Sequence, residues 1–230
     1  MKATISKESF TKALSLTGGI VEKKQTLPIL SNILIEFKDN SFKLVATDLE
    51  SELTIIGETD TCETEGITTA SAKKLNDLCR LIPDKSSIEL SLSGDKLNIS
   101  TKNGKYSLAT LPSNEFPIFE SGDKLHKINL KSQDLKTLIN TTAFAMGNQD
   151  WRHYLNGLFL KLEEGVLTAV ATDAHRLALN CLDSVSDINF SGIIPRKSVN
   201  EINRFIGEND RESFSPMKRF ISFTDLSLIP

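Results

Sequence analysis

The 230-residue chain has few cysteines, few histidines and no long apolar run, and each scarcity removes a class of function. No stretch approaches the roughly 20 apolar residues that a membrane helix requires. The opening Met1-Lys2-Ala3-Thr4-Ile5-Ser6 is too polar for a secretory signal. Cys62, Cys79 and Cys181 are odd in number, widely spaced and free of any Cys-x-x-Cys pairing, so they read as reduced thiols of a cytoplasmic protein. With only His126, His153 and His175, and no zinc-like His/Cys/Asp spacing, the sequence calls for no metal and no cofactor. A Gly-x-Ser-x-Gly elbow is also missing.

What the sequence does have is a repeat. Leu30-Ser31-Asn32-Ile33-Leu34-Ile35 lies over Leu155-Asn156-Gly157-Leu158-Phe159-Leu160, and both copies close on Val-Ala-Thr-Asp, at 45–48 and 170–173. Upstream, Ile5, Phe10, Ala13 and Leu14 fall on Leu130, Leu135, Leu138 and Ile139 at the same offset. One supersecondary unit used twice must bury its apolar face against its neighbours, which predicts a pseudo-symmetric assembly.

Local patterns divide the repeat further. Ser6 caps a predicted helix over 7–20, followed by a hairpin of Ile33, Ile35 and Phe37, a turn at Asp39-Asn40, and Phe42, Leu44 and Ala46. Ile67-Thr68-Thr69 forms a short strand. Ser71 then caps a helix with Leu75, Leu78, Cys79 and Ile82 that Pro83 ends. A second hairpin turns at Gly94-Asp95. The second domain restarts with Ile128-Asn129-Leu130 and a helix capped by Ser132, with Leu135, Leu138, Ile139, Thr142 and Met146 inward. Its hairpin turns at Glu164-Gly165, and a last helix bears Val199, Ile202, Phe205 and Ile206 before Gly207 stops it. The expected domains are 1–118 and 127–230, joined by a linker at 118–126. After Asp210 the pattern degrades, so the fourth half is expected to lack part of its sheet and the chain to be cut short.

The net charge of −3 is unevenly spread. Windows 7–24, 71–82, 131–146 and 196–206 carry +2, +2, +1 and +2, leaving −10 for the rest. One basic helix would be an ordinary solvated face. Four equivalent ones in an acidic chain suggest a shared positive surface that meets phosphates without reading bases.

Three groups of residues in the first domain, Thr26-Leu27-Pro28-Ile29-Leu30-Ser31-Asn32, Ala46-Thr47-Asp48-Leu49-Glu50 and Leu111-Pro112 through Phe116-Pro117, resemble the bacterial sliding clamp family, the beta subunit of DNA polymerase III. So do Gln149 through Gly157, Ala171-Thr172-Asp173-Ala174-His175-Arg176-Leu177 and Ile194-Pro195-Arg196-Lys197 in the second. The resemblance covers residues 1 to about 210. It implies an α+β DNA-clamp fold of duplicated strand–helix–hairpin units, with helices on one face and antiparallel sheets on the other. It also implies a non-catalytic processivity factor that encircles double-stranded DNA. Its partners would be the replicative polymerase and clamp-loader subunits, held through short peptide motifs, and a second protomer in a homodimeric ring.

Position by position, the resemblance implies DNA-facing roles for Lys24, Asn148, Gln149, Arg152, His153, Tyr154, Arg196 and Lys197. Leu155, Thr172, Ala174, His175, Arg176 and Leu177 match one wall of a peptide cleft, where the family usually has glycine at the position of Ala174. Lys74, Leu78, Lys105, Tyr106 and Leu108 match half of a subunit interface. A second reading makes the chain a non-loading, inhibitory module that caps a full-length protomer.

Plainer readings stand beside these. Asp173 with His175 could suggest catalysis, but Asp48 holds the same place in the first copy, which favours a structural role common to both. Trp151 is expected in the core, whereas Tyr154 beside Arg152 and Gln149 suits a contact surface. Lys23 and Lys24 could simply complement a helix C-terminus, and Leu155 and Leu177 could both be core.

Overall fold

A computed structural model describes residues 1–21, 27–118, 130–183, 189–209 and 218–223. The chain divides into two compact units, Met1–Phe119 with Ser215–Ser222 and Glu120–Phe214 with Phe223–Pro230.

The first unit begins with β1 (Lys2–Ser6) and α1 (Lys7–Thr17). The Ser6 hydroxyl accepts the Ser9 N–H at 3.2 Å, satisfying one of the amides that every helix start leaves unpaired. Phe10, Ala13, Leu14 and Thr17 form the buried stripe, and the Thr17 hydroxyl donates to the Leu14 carbonyl at 2.8 Å. The helix stops at Thr17 rather than near 20, because Gly18-Gly19 follows and glycine costs about 1 kcal/mol per helical residue.

Next come β2 (Asn32–Lys38), β3 (Ser41–Thr47) and β4 (Ser51–Glu58), then β5 (Thr61–Thr64) and β6 (Gly66–Ser71). Asp39 and Asn40 turn the β2–β3 hairpin at φ 48° and 55°, the left-handed pair that a two-residue turn requires. Ser71 caps α2 (Ala72–Leu81), and β7 (Ser87–Ser93), β8 (Lys96–Thr101) and β9 (Gly104–Ala109) complete the unit. One sheet runs β5-β1-β7-β8-β9 and the other contains β4-β3-β2-β6. The helices α1 and α2 pack on each other, and α1 also packs on β1, β3 and β4. There Phe10 meets Phe42 edge-to-face, with ring centroids 6.4 Å apart.

The second unit has α3 (Ser132–Thr142), β10 (Gly157–Glu163), β11 (Val166–Thr172), β12 (Leu177–Asp183), β13 (Phe190–Pro195) and α4 (Arg196–Asn209). Its sheet is ordered β12-β11-β10-β13, and α3 packs on α4. The repeat reappears in the strand register. Leu34 faces Val45 as Phe159 faces Val170, and Phe37 faces Phe42 as Leu162 faces Leu167. A final strand, β14 (Lys218–Phe223), lies beside β4. The strand pairs among β1 to β13 are antiparallel.

Several sequence expectations need correction. Each predicted hairpin is three strands, since β4, β9 and β12 extend them. Ser132 is the first residue of α3, not its cap, and Met146 is buried beyond the helix end rather than within it. Gly207 does not stop α4, which runs on to Asn209. Trp151, expected in the core, is 82% exposed.

Among the described residues, no helix is long and apolar enough to cross a membrane.

Candidate functional site

Thr47-Asp48 and Thr172-Asp173 build the same turn twice. The threonine hydroxyl accepts the N–H of residue 49 or 174 at 3.1 Å and donates to the carbonyl of Ser51 or Arg176, at 2.9 and 2.7 Å. The aspartate carboxylate accepts the next two free N–H groups, from Glu50 and Ser51 in one copy and from His175 and Arg176 in the other, at 2.8 to 3.1 Å. Leu49 and Ala174 sit between them at φ 75° and 72°. This geometry accounts for the repeated aspartate without catalysis. At Ala174 that left-handed backbone carries a steric cost that a residue without a Cβ would avoid. The Asp173 carboxyl is held below the usual aspartate range, first by the Arg176 and His175 amides and then by the Arg176 charge.

The second copy goes on to expose its side chains. Ala174, His175 and Arg176 are exposed, and Leu177 is 64% exposed. Arg176 is engaged despite its exposure: Nε donates to Asp173 at 3.0 Å and a terminal nitrogen donates to the Phe144 carbonyl at 2.8 Å. Its guanidinium also lies over the Phe144 ring, 5.7 Å from the centroid, and that ring is itself 59% exposed. Thr172 is half-buried beneath the turn, while Leu155 is buried at 6% and belongs with the packed residues. Leu179, one alternation beyond Leu177 on the edge strand β12, extends the apolar surface. The sequence reading missed Phe144 and Leu179. The signal available for Leu179 was alternation with Leu177.

A second group lies on the segment between α3 and β10. Asn148, Gln149, His153 and Tyr154 are exposed, with Gln149 at φ 57°. Arg152 forks onto Asp150, Nε to Oδ1 at 3.0 Å and a terminal nitrogen to Oδ2 at 2.9 Å. That grip, with the Arg152 N–H at 2.8 Å, drives the Asp150 carboxyl down to about 2. Arg152 also lies over the Trp151 ring at 5.7 Å. Its charge is therefore largely compensated locally, which sequence reasoning missed although Asp150 stands only two residues away. Asn156 closes the loop: its Oδ1 accepts the Asp150 N–H at 2.9 Å and its Nδ2 donates to the Asp150 carbonyl at 2.7 Å. Arg196 and Lys197 open α4 and are half-buried. Lys24 lies outside the described residues.

On α2, Lys73, Lys74 and Arg80 are exposed, as is Lys131 just ahead of α3. The exposed Arg80 lies 3.9 Å from Asp77, and other cations are partly spoken for: Arg204 bonds Glu201 at 2.6 and 3.0 Å, and Lys7 pairs with Asp84. The third group of expected residues falls on two elements of the first unit. Lys105, Tyr106 and Leu108 are on β9, an edge strand, and Lys74 and Leu78 are on α2. No group of three or more His, Cys, Asp or Glu side chains suited to a metal occurs among the described residues.

Two family models match: the DNA polymerase III beta subunit N-terminal domain over residues 1–120 and its central domain over 129–215. The beta sliding clamp of Pseudomonas aeruginosa is 38% identical over 214 residues, and that of Salmonella typhimurium 36% over 212. These alignments cover 92% and 91% of this chain, and the chain spans 58% of the length of each relative. Among solved structures, the P. aeruginosa beta subunit superposes with a TM-score of 0.86 at 38% identity, covering 91% of this chain and 58% of that one. A Caulobacter crescentus beta subunit gives 0.85 at 34% identity, covering 90% and 58%. The P. aeruginosa clamp has also been solved bound to griselimycin, and that structure matches with a TM-score of 0.84 at 38% identity, covering 90% and 57%.

Proposed function

Because this chain belongs to the DNA polymerase III beta subunit family, we propose that it serves in the cytoplasm as a sliding-clamp processivity factor, with an N-terminal domain matching residues 1–120 and a central domain matching 129–215. It holds duplex DNA without reading sequence and tethers the replicative polymerase and clamp loader through their peptide motifs. The observation that carries the DNA reading is that α2 exposes Lys73 and Arg80 and that Lys131 is exposed just ahead of α3, in a chain whose net charge is −3. Such cations neutralise phosphates whatever the base, so they give affinity without specificity. Asn148, Gln149, His153, Tyr154 and Lys197 are the further DNA contacts proposed for the second unit, and Lys24 for the first. Arg152 contributes more through its planar surface than its charge.

The turn at 172–177 is the proposed peptide site. Leu177, Phe144 and Leu179 offer apolar ground, and the exposed His175 offers a polar group to orient an extended chain. The P. aeruginosa relative binds griselimycin, so that compound is a suitable probe here. Edge strand β9 with α2 is the proposed subunit interface, where Tyr106 and Leu108 are half-buried and Lys105 is exposed. No catalytic step is assigned.

Fluorescence anisotropy with two labelled duplexes of unrelated sequence tests the DNA reading. The two affinities should agree within about twofold, and log K should fall linearly with log salt by about 0.9 for each phosphate neutralised. A flat salt dependence, or a marked preference for one duplex, would overturn it.

A further inference from the structure

Arg196 is the first residue of α4, yet its side chain does not serve that helix. A cation there opposes the helix dipole. Its Nη1 instead reaches back to the loop before β10, donating to the Met146 carbonyl at 2.9 Å and the Gly147 carbonyl at 3.0 Å. Its own N–H donates to the Asn156 carbonyl at 2.9 Å. Both ends of the 147–156 loop are thus fastened to one residue. Across the same neck the Gly147 N–H donates to the Leu155 carbonyl at 2.8 Å. A side chain at Gly147 would stand 3.1 Å from that oxygen, so the two strands of the neck meet at close range. Further out, Asn156 and Asp150 bond to each other twice, and Asp150 grips Arg152.

We infer that Arg196 is a positioning residue: it clamps the neck of the 147–156 loop so that Gln149, Trp151 and Tyr154 are presented as one surface, and it does not itself neutralise a phosphate. This rests on the DNA-binding reading above and reassigns one of its residues. The chemistry favours the assignment because a guanidinium is a fork of fixed donors, well suited to holding two neighbouring carbonyls. A lysine ammonium ends one bond short of Nη1.

Arg196→Gln and Lys197→Gln, each confirmed as folded by circular dichroism, would be compared with the parent chain. Trp151 is the single tryptophan, so its fluorescence anisotropy reports on the loop without DNA present. Positioning predicts that Arg196→Gln lowers that anisotropy and speeds amide exchange at Gly147, Asp150 and Leu155 by tenfold or more. It also predicts a roughly tenfold loss of duplex affinity with an unchanged salt slope. Lys197→Gln should do the reverse, leaving the loop intact and reducing the slope by about 0.9. Should Arg196→Gln fail to fold, Arg196→Lys answers the same question: it keeps the charge, so a phosphate contact would survive while the loop would still loosen. A reduced slope with unchanged loop exchange overturns the assignment, as does an Arg196→Lys chain that matches the parent. If the parent chain binds no duplex at any salt, the DNA reading fails, while the exchange data still decide the role of Arg196 in the loop.

Discussion

The two Thr-Asp turns have the same backbone and opposite surroundings. At 47–51 and 172–176 the hydrogen bonds match one for one, and so does the left-handed residue at 49 and 174. Past the turn, Ser51 and Glu52 are buried in the first copy, whereas Arg176 and Leu177 stand in solvent in the second. A helix packs on both continuations, α1 on β4 and α3 on β12, but β14 flanks β4 whereas β12 is the edge of its sheet. A duplicated unit thus keeps its turn chemistry in both places and uses the next few residues differently. The aspartate is common scaffolding, and the side chains just past it decide which copy can meet a partner.

The largest effects test whether the copies are equivalent in the core. Phe42 and Leu167 hold the same place in their meanders and are both buried. Phe42→Ala should cost about 3–5 kcal/mol and Leu167→Ala about 2–5 kcal/mol, measured by urea unfolding. A negligible cost at Leu167 would break the equivalence.

A smaller effect, of opposite sign, is expected at the turn. With φ at 72°, Ala174→Gly should stabilise the chain by about 0.5–1 kcal/mol and raise Tm by roughly 1–4 °C. Leu49→Gly, at φ 75°, should relieve the same strain in the first copy. A loss of stability at Ala174 would mean that the backbones differ.

The mildest test concerns pH and is confined to the second unit. Asp150 is depressed to about 2, and Asp173 lies below the ordinary value. Lowered folded values mean that their contribution is complete above the unfolded aspartate pKa of about 3.9 and is lost as pH falls through the folded ones. Carboxyl carbon NMR should therefore show Asp150 still ionised at pH 3. If it titrates near 4, the fork with Arg152 does not persist in solution.

Much of this was legible in the chain. The 125-residue offset, the caps at Ser6 and Ser71 and the turns at Asp39-Asn40 and Glu164-Gly165 were read from residues close together, and they form as read. The third strand of each meander was not. In β12 the exposed face carries Leu177 and Leu179, and in β9 Tyr106 and Leu108 are only half-buried, so apolar alternation there does not mark a core face. Trp151 was misplaced for a related reason, since hydrophobicity says what could be buried and only the completed packing says what is.

By itself, then, the sequence determined the repeat and the local turns, because period-two patterns and caps are set within a few residues. Only the tertiary structure decided how the arginines are used. Arg196 finds Met146 and Gly147 some 50 residues away, and Arg176 finds Phe144 across 32, so those bonds exist only once the sheet and helices have closed around them.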